Sequence, residues 1–205
     1  VFTFSNIAAL IHYSATFGVT FLLSLFLQYG KNLDPASAGA ILMVQSGVMA
    51  IVSPAAGRLS ERIAPRFLSS AGMALITAGL LLLTSTGSGT PVRTIVAILA
   101  LLGLGFAVFS SPNTNAVMSA VARKWYGLAG SSLATMRLTG QTLSMGIVLL
   151  VFAGRIGRDS IPPGGNEPFF SGVRTVFAVF AVLSVVGVFA SLVRGELPQM
   201  GEGET

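Results

Sequence analysis

The placement of charge constrains this chain more than any other feature. Asp, Glu, Lys and Arg are absent from residues 1–30, 35–57, 67–92, 94–122 and 175–193, and the stretch 125–154 holds only Arg137. A helix needs about 20 predominantly apolar residues to cross a ~30 Å hydrocarbon layer, and each of the six windows is about that long or longer. Lipid cannot satisfy exposed backbone groups, and the windows lack the alternation of a barrel strand, so helices are the expected spanning elements. The fold class is therefore all-α integral membrane, a six transmembrane helix bundle. Its spans are expected near 4–28, 38–57, 67–86, 92–121, 126–153 and 173–193 of a single domain, with 194–205 as a short tail.

Composition excludes the alternatives. Charged residues make up 9% of the chain, too few to clothe a water-facing surface that ordinarily carries about 25%. The net charge of +5 does not point to nucleic acid, because the basic residues punctuate apolar runs instead of forming a patch. Cysteine is absent, which removes disulfides, thiolate metal sites and cysteine nucleophiles; no metal site and no cofactor is expected. The first window lacks the basic flank and cleavage pattern of a signal peptide and is kept as structure. The chain begins at Val1 and is read as a piece of a longer polypeptide.

Orientation follows from the short loops, where the positive-inside rule works best. Arg58, Arg62 and Arg66 sit in one turn and Arg123 and Lys124 in another on the same side, against Lys31 and Arg93 opposite. The turns at 58–66 and 122–125 are expected to be cytoplasmic, which puts both termini there. The segment 154–172, with Pro162, Pro163, Gly164 and Gly165, then becomes an outer loop. Trp125 and Tyr126 read as an interfacial anchor.

Strongly polar side chains are costly in lipid and turn toward other helices or a watery cavity. Asn6, His12 and Gln28 lie on the first span, Gln45 on the second, Asn113 and Asn115 on the fourth, and Arg137 and Gln141 on the fifth; the third and sixth carry only Ser and Thr. Spans one, two, four and five are thus expected to surround an aqueous path, the alternative being that these groups only bond helix to helix. On the fifth span Gly130, Ala134, Arg137, Gln141 and Ser144 share one face, and on the first Asn6, Tyr13, Thr16, Thr20 and Ser24 do. Ser70, Ala74 and Ala78 predict a packing seam on the third. Arg137 lies about 18 Å into its helix, near mid-membrane. Pro112 frees the Val108 carbonyl at similar depth, and that carbonyl with Ser110, Ser111, Asn113 and Asn115 is the expected partner set. Arg137 serves either a substrate or a structural clamp. His12, with no carboxylate on any span, reads as a neutral, hydrogen-bonded histidine before a proton carrier.

The run Gly57-Arg58-Leu59-Ser60-Glu61-Arg62-Ile63-Ala64-Pro65-Arg66, after the second span, resembles the loop motif of the major facilitator superfamily, roughly Gly-x-Leu-x-Asp/Glu-Arg-x-Gly-x-Arg/Lys, with Ala64 and Pro65 as departures. Ser111-Pro112-Asn113-Thr114-Asn115 and the segment from Gly127 to Gln141 resemble the second half of the fourteen-span drug-proton antiporters. The resemblance implies a carboxy-terminal six-span half of a secondary transporter, working by alternating access against a missing amino-terminal half. It implies a plasma membrane, the inner membrane of a bacterium, with the lipid bilayer, a small hydrophobic or cationic substrate and protons as partners, and no nucleic acid. Asn6, His12, Tyr13, Gln45, Asn113, Asn115, Arg137 and Gln141 become substrate-cavity residues, and Gly57, Glu61, Arg62 and Arg66 a cytoplasmic gate. Two other functions compete with this one. A non-transporting membrane assembly module would saturate the polar stripes with partner helices. An intramembrane serine protease, suggested by Ser131, Ser132 and His12, lacks a Gly-x-Ser-Gly turn and carries its only histidine before the serine. The Gly103-Leu104-Gly105 run is no nucleotide loop but a flexible or close-packing point.

Overall fold

The computed structural model describes residues 1–60, 62–155 and 165–192. Among them are six helices long and apolar enough to cross a membrane. They are α1 (Phe2–Leu25, extended by a wider π turn over Phe26–Gly30), α2 (Pro35–Leu59), α3 (Pro65–Thr84), α4 (Val92–Ser119), α5 (Tyr126–Arg155, entered through a tight turn at Arg123–Trp125) and α6 (Glu167–Leu192).

Local chemistry explains the starts. The Asp34 carboxylate accepts the Ser37 amide at 3.0 Å and caps α2, with Pro35 in the first turn, where its missing N–H costs nothing. That bond holds Asp34 below the usual carboxylate range. Pro65, a departure within the loop motif, opens α3 in the same way: Ala64 is extended and the proline restarts the helix. The Ser60 hydroxyl closes the end of α2 by donating to the Gly57 carbonyl at 2.7 Å.

The six helices form two interleaved triplets. Helix α4 packs between α2 and α3 of its predecessor triplet, α1 packs between α5 and α6 of its successor, and α3 lies against α6. Glycines set the close approaches. A methyl group on Gly103 would collide with the Gln45 carbonyl of α2, and one on Gly105 would lie 2.9 Å from the Gly72 carbonyl of α3, so this pair lets α4 lie tightly against both neighbours. On the other triplet, a Cβ on Gly140 of α5 would meet the Leu10 carbonyl of α1 at 2.7 Å, and one on Gly18 of α1 would meet Phe180 of α6 at 2.8 Å. Gly103-Leu104-Gly105 is thus a close-packing point.

The α3–α6 contact joins the triplets. The Thr77 and Ser184 hydroxyls meet at 2.9 Å, surrounded by Met73, Ile76, Leu80, Phe177 and Phe180. The small-residue stripe expected on α3 is corrected here: Ser70 is buried, but Ala74 and Ala78 are exposed, and the seam is made by Gly72, Met73, Thr77 and Gly79 instead. Periodicity had found a face of α3, but the two neighbours press on the adjoining one.

At the end of the bundle away from the 57–66 turn, cations tie down the α3–α4 loop. Lys31 Nζ donates to the Ser88 carbonyl at 2.5 Å and Arg174 Nε to the Thr86 carbonyl at 2.9 Å, near the carbonyl end of α3, where positive charge is favoured. Partial burial lowers the proton affinity of Lys31.

Candidate functional site

Helix α1 determines what the bundle can present. Ile11 and Gly18 face α6, His12 faces α4, and Leu10 and Ser14 face α5. At 100° per residue, Tyr13, Phe17, Thr20, Phe21 and Ser24 occupy the arc between the α4-facing and α5-facing sides. That arc is uncovered: Phe17, Thr20 and Phe21 are exposed and Tyr13 and Ser24 half-buried. It lies on the opposite side of α1 from the α3–α6 contact.

Arg137 borders this arc. On α5 it shares a face with Gly130, whose added Cβ would touch Met118 of α4 at 3.7 Å, and with Ser144, whose hydroxyl accepts the Gly18 amide of α1 at 2.7 Å. Its guanidinium is exposed and sits 6.0 Å from the centre of the Tyr13 ring, within the range of a cation–π contact. Gln141 is half-buried one turn further along. The expected partners of Arg137 are corrected by this geometry, because they are engaged elsewhere. Ser111 reaches toward the Ser53 carbonyl at 3.4 Å, Asn113 donates to the Ser5 carbonyl at 3.2 Å, and Asn115 donates to the Ser60 hydroxyl at 2.8 Å. Equal depth had been inferred from chain length alone; the α4 side chains at that depth turn toward α1 and α2.

The remaining cavity residues divide by role. Asn6 is buried, donates to the Phe2 carbonyl at 3.0 Å and accepts the Ser132 hydroxyl at 3.2 Å, which ties α1 to α5. Gln45 is half-buried on α2, with its carbonyl against Gly103. Asn113 is buried on the α1 side of α4 and Asn115 exposed on the α2 side, so the two point apart as their spacing requires. His12 differs from its expectation. The ring is fully buried, stacked on Phe109 at 4.1 Å with Phe106 edge-on at 4.5 Å, and among the described residues neither ring nitrogen has a hydrogen-bond partner. It fills an aromatic box between α1 and α4 and lies off the uncovered arc. It also lies away from the serines suggested as nucleophiles: Ser131 bonds the Leu128 carbonyl and Ser132 bonds Asn6. A nucleophile must have its base within reach, and that arrangement is absent among the described residues.

At the 57–66 turn, Gly57 is half-buried with open space where a Cβ would stand, Arg62 is exposed, and the half-buried Arg66 places its guanidinium 4.7 Å from the Phe67 ring. Arg62, Asn115 and Ser119 line a cleft of about 390 Å³ between this turn and the end of α4. Glu61 lies outside the described residues, as do Pro162, Pro163, Gly164 and the tail over 194–205.

Phe17 and Phe21 were missed by the sequence reading, although their spacing of four and eight from Tyr13 carried the signal. In a chain this apolar, a phenylalanine stripe reads as lipid contact until its neighbours are known.

A bundle of six apolar helices, with polar and aromatic side chains gathered on one uncovered side and a basic turn at one end, defines a multi-pass membrane protein with the architecture of a transporter half. The family model of the Major Facilitator Superfamily matches residues 6–203, and the chain belongs to that family. It is 32% identical to the riboflavin transporter RibZ of Clostridioides difficile over 136 residues, 66% of this chain and 30% of that protein. It is 31% identical to the multidrug resistance protein Stp of Mycobacterium tuberculosis over 139 residues, 68% of this chain and 26% of that protein. The lincomycin resistance protein LmrB of Listeria monocytogenes matches at 23% identity over 198 residues, 94% of this chain and 42% of that protein. The chain thus spans between a quarter and a little over two fifths of the length of these relatives.

Proposed function

We propose that this chain is the carboxy-terminal half of a secondary transporter that exports small molecules in exchange for protons by alternating access. In this reading the amino-terminal half seats against the uncovered faces of α2 and α5, the arc of α1 lines the shared cavity, and both termini are cytoplasmic in a bacterial inner membrane. The observation that carries it is the side on which polarity gathers. Tyr13, Thr20, Arg137 and Gln141 collect opposite the α3–α6 contact, where lipid would leave an arginine unsatisfied and a watery cavity would not. Asn6 and Asn113 stiffen the cavity wall and Gln45 and Asn115 border it. Gly57, Glu61, Arg62 and Arg66 form the cytoplasmic gate, which opens when the halves separate; Arg62 lines the cleft beside the end of α4. The multidrug and lincomycin resistance proteins among the matched relatives support the direction of transport.

The chain contains no cysteine, so single cysteines placed in it report cleanly once any in the rest of the protein are removed. In the complete transporter, cysteines at Thr20 and Gln141 are expected to react with a membrane-impermeant thiol reagent, and one at Val186, exposed on α6, to resist it. Protection of positions 20 and 141 equal to that of 186 overturns the reading.

A further inference from the structure

The uncovered arc combines two features that together select a ligand. Phe17 and Phe21 are exposed to 42% and 39% on the same face as the half-buried Tyr13, so three aromatic side chains, each about one helical turn from the next, form a row along α1. Beside that row stands the exposed Arg137 guanidinium, over the Tyr13 ring at 6.0 Å. Among the described residues no acid lies on α1 to α5, and the only one on α6, Glu167, is its first residue. Among the described residues the cation therefore meets no neutralising side chain on these helices. Guanidinium is always charged and offers a planar fork of donors matched to carboxylate and similar oxyanions, while aromatic faces hold flat rings. A cationic ligand lying on this row would meet a like charge; an anionic one would meet its complement.

We propose that this arc binds planar aromatic anions, with Tyr13, Phe17 and Phe21 holding the ring system and Arg137 its acidic group. Thr20, exposed between the two phenylalanines, and Gln141, a turn beyond Arg137, supply neutral hydrogen bonds at the margin. The proposal rests on the cavity reading above and narrows its substrate from small molecules in general to acidic aromatic ones, in place of the hydrophobic or cationic substrate the resemblance implies.

The test uses the purified complete transporter and two flat dyes of opposite charge, fluorescein and ethidium, with binding followed by fluorescence anisotropy. Fluorescein is expected to bind about tenfold more tightly than ethidium, the scale of one charge-assisted contact. Arg137→Gln removes that preference, Arg137→Lys keeps part of it, and the Phe17→Ala, Phe21→Ala double variant weakens both dyes together. Size-exclusion profiles identify any variant that fails to fold, and the wild-type preference alone still judges the proposal. Ethidium bound as tightly as fluorescein, or fluorescein affinity unchanged in a folded Arg137→Gln variant, overturns it. Dye uptake into inverted vesicles separates this from the transport reading. A transporter that binds fluorescein preferentially but moves neither dye keeps the anion site and refutes export, whereas one that exports ethidium with no preference for fluorescein refutes the anion site and keeps export.

Discussion

Helices α3 and α6 and helices α2 and α5 are drawn from the same apolar residue types, yet they end in different surroundings. In their most apolar stretches, 56% of α3 and 39% of α6 is buried within the bundle, against 11% of α2 and 17% of the α5 segment. Hydropathy does not decide this, because lipid is as apolar as a protein core and gives no drive for one helix to cover another. What differs is the placement of small and hydroxylated residues. Helix α3 offers Gly72 to the backbone of Phe109, Gly79 to Leu102 and Thr77 to Ser184, so both its neighbours can approach closely. Helices α2 and α5 turn Gly47 and Gly146 to open space.

The largest test of this contrast places a branched side chain at equivalent glycines. At Gly72 an added Cβ would stand 2.5 Å from the Phe109 amide nitrogen and 2.8 Å from the Gly105 carbonyl, neither of which can step aside without moving α4. Gly72→Val is expected to cost about 3 kcal/mol or more, the upper range for overpacking, and to abolish the folded peak of the detergent-solubilised chain. A Cβ added at Gly146 meets nothing within 4 Å, so Gly146→Val should change the melting temperature little. Equal damage at both positions would break the comparison. In the complete transporter the sharper outcome is expected: if a second half seats on α5, Gly146→Leu becomes harmful there and not in this chain alone.

Next in size is Arg137→Ala, which leaves the α3–α6 contact untouched and removes the charge beside the uncovered arc of α1. Transport by the complete protein should be lost at normal membrane expression, read by uptake into inverted vesicles. Unchanged transport would make Arg137 a surface feature and the uncovered side merely a packing face.

A smaller effect belongs to the Thr77–Ser184 hydrogen bond between α3 and α6. Interhelical hydrogen bonds in membranes average about 0.6 kcal/mol and reach about 1.7. A double-mutant cycle with Thr77→Val and Ser184→Ala should give a coupling in that range by unfolding in mixed micelles. A coupling near zero would leave steric fit alone to explain why these two helices are covered.

The helix count and the membrane class were legible in the chain because a gap in charge longer than a bilayer is thick has one physical reading. Depth along a helix follows from the fixed rise per residue alone. Azimuth was not legible. Ser70, Ala74 and Ala78 share a face, but whether α4 and α6 press on that face or the next one depends on contacts hundreds of atoms away in sequence. The same limit misassigned the partners of Arg137: Asn113 and Asn115 stand at its depth, yet they turn to Ser5 and Ser60. His12 shows a different limit. A lone histidine in an apolar run invites a hydrogen-bond partner, and here the box is closed by Phe106 and Phe109, residues that composition counts only as hydrophobic.

The smallest expected effect concerns how the uncovered and covered helices begin. Helix α3 has no side-chain cap at its start and is held by packing, whereas the poorly covered α2 depends more on Asp34, whose carboxylate accepts the Ser37 amide. Because that bond lowers the folded-state pKa of Asp34, its stabilisation is fully present above the unfolded aspartate value and is lost as pH falls through the lower folded value. Amide protection at Ser37 and Ala38, taken relative to the intrinsic exchange rate at each pH, should therefore fall in acid while protection in the first turn of α3 does not. Asp34→Asn, which caps without titrating, should flatten the pH response at α2, and Asp34→Ala should hold protection low at every pH. If the unmodified protein and both variants exchange alike, the start of α2 is fixed by packing after all, and the contrast between the two kinds of helix is narrower than their burial suggests.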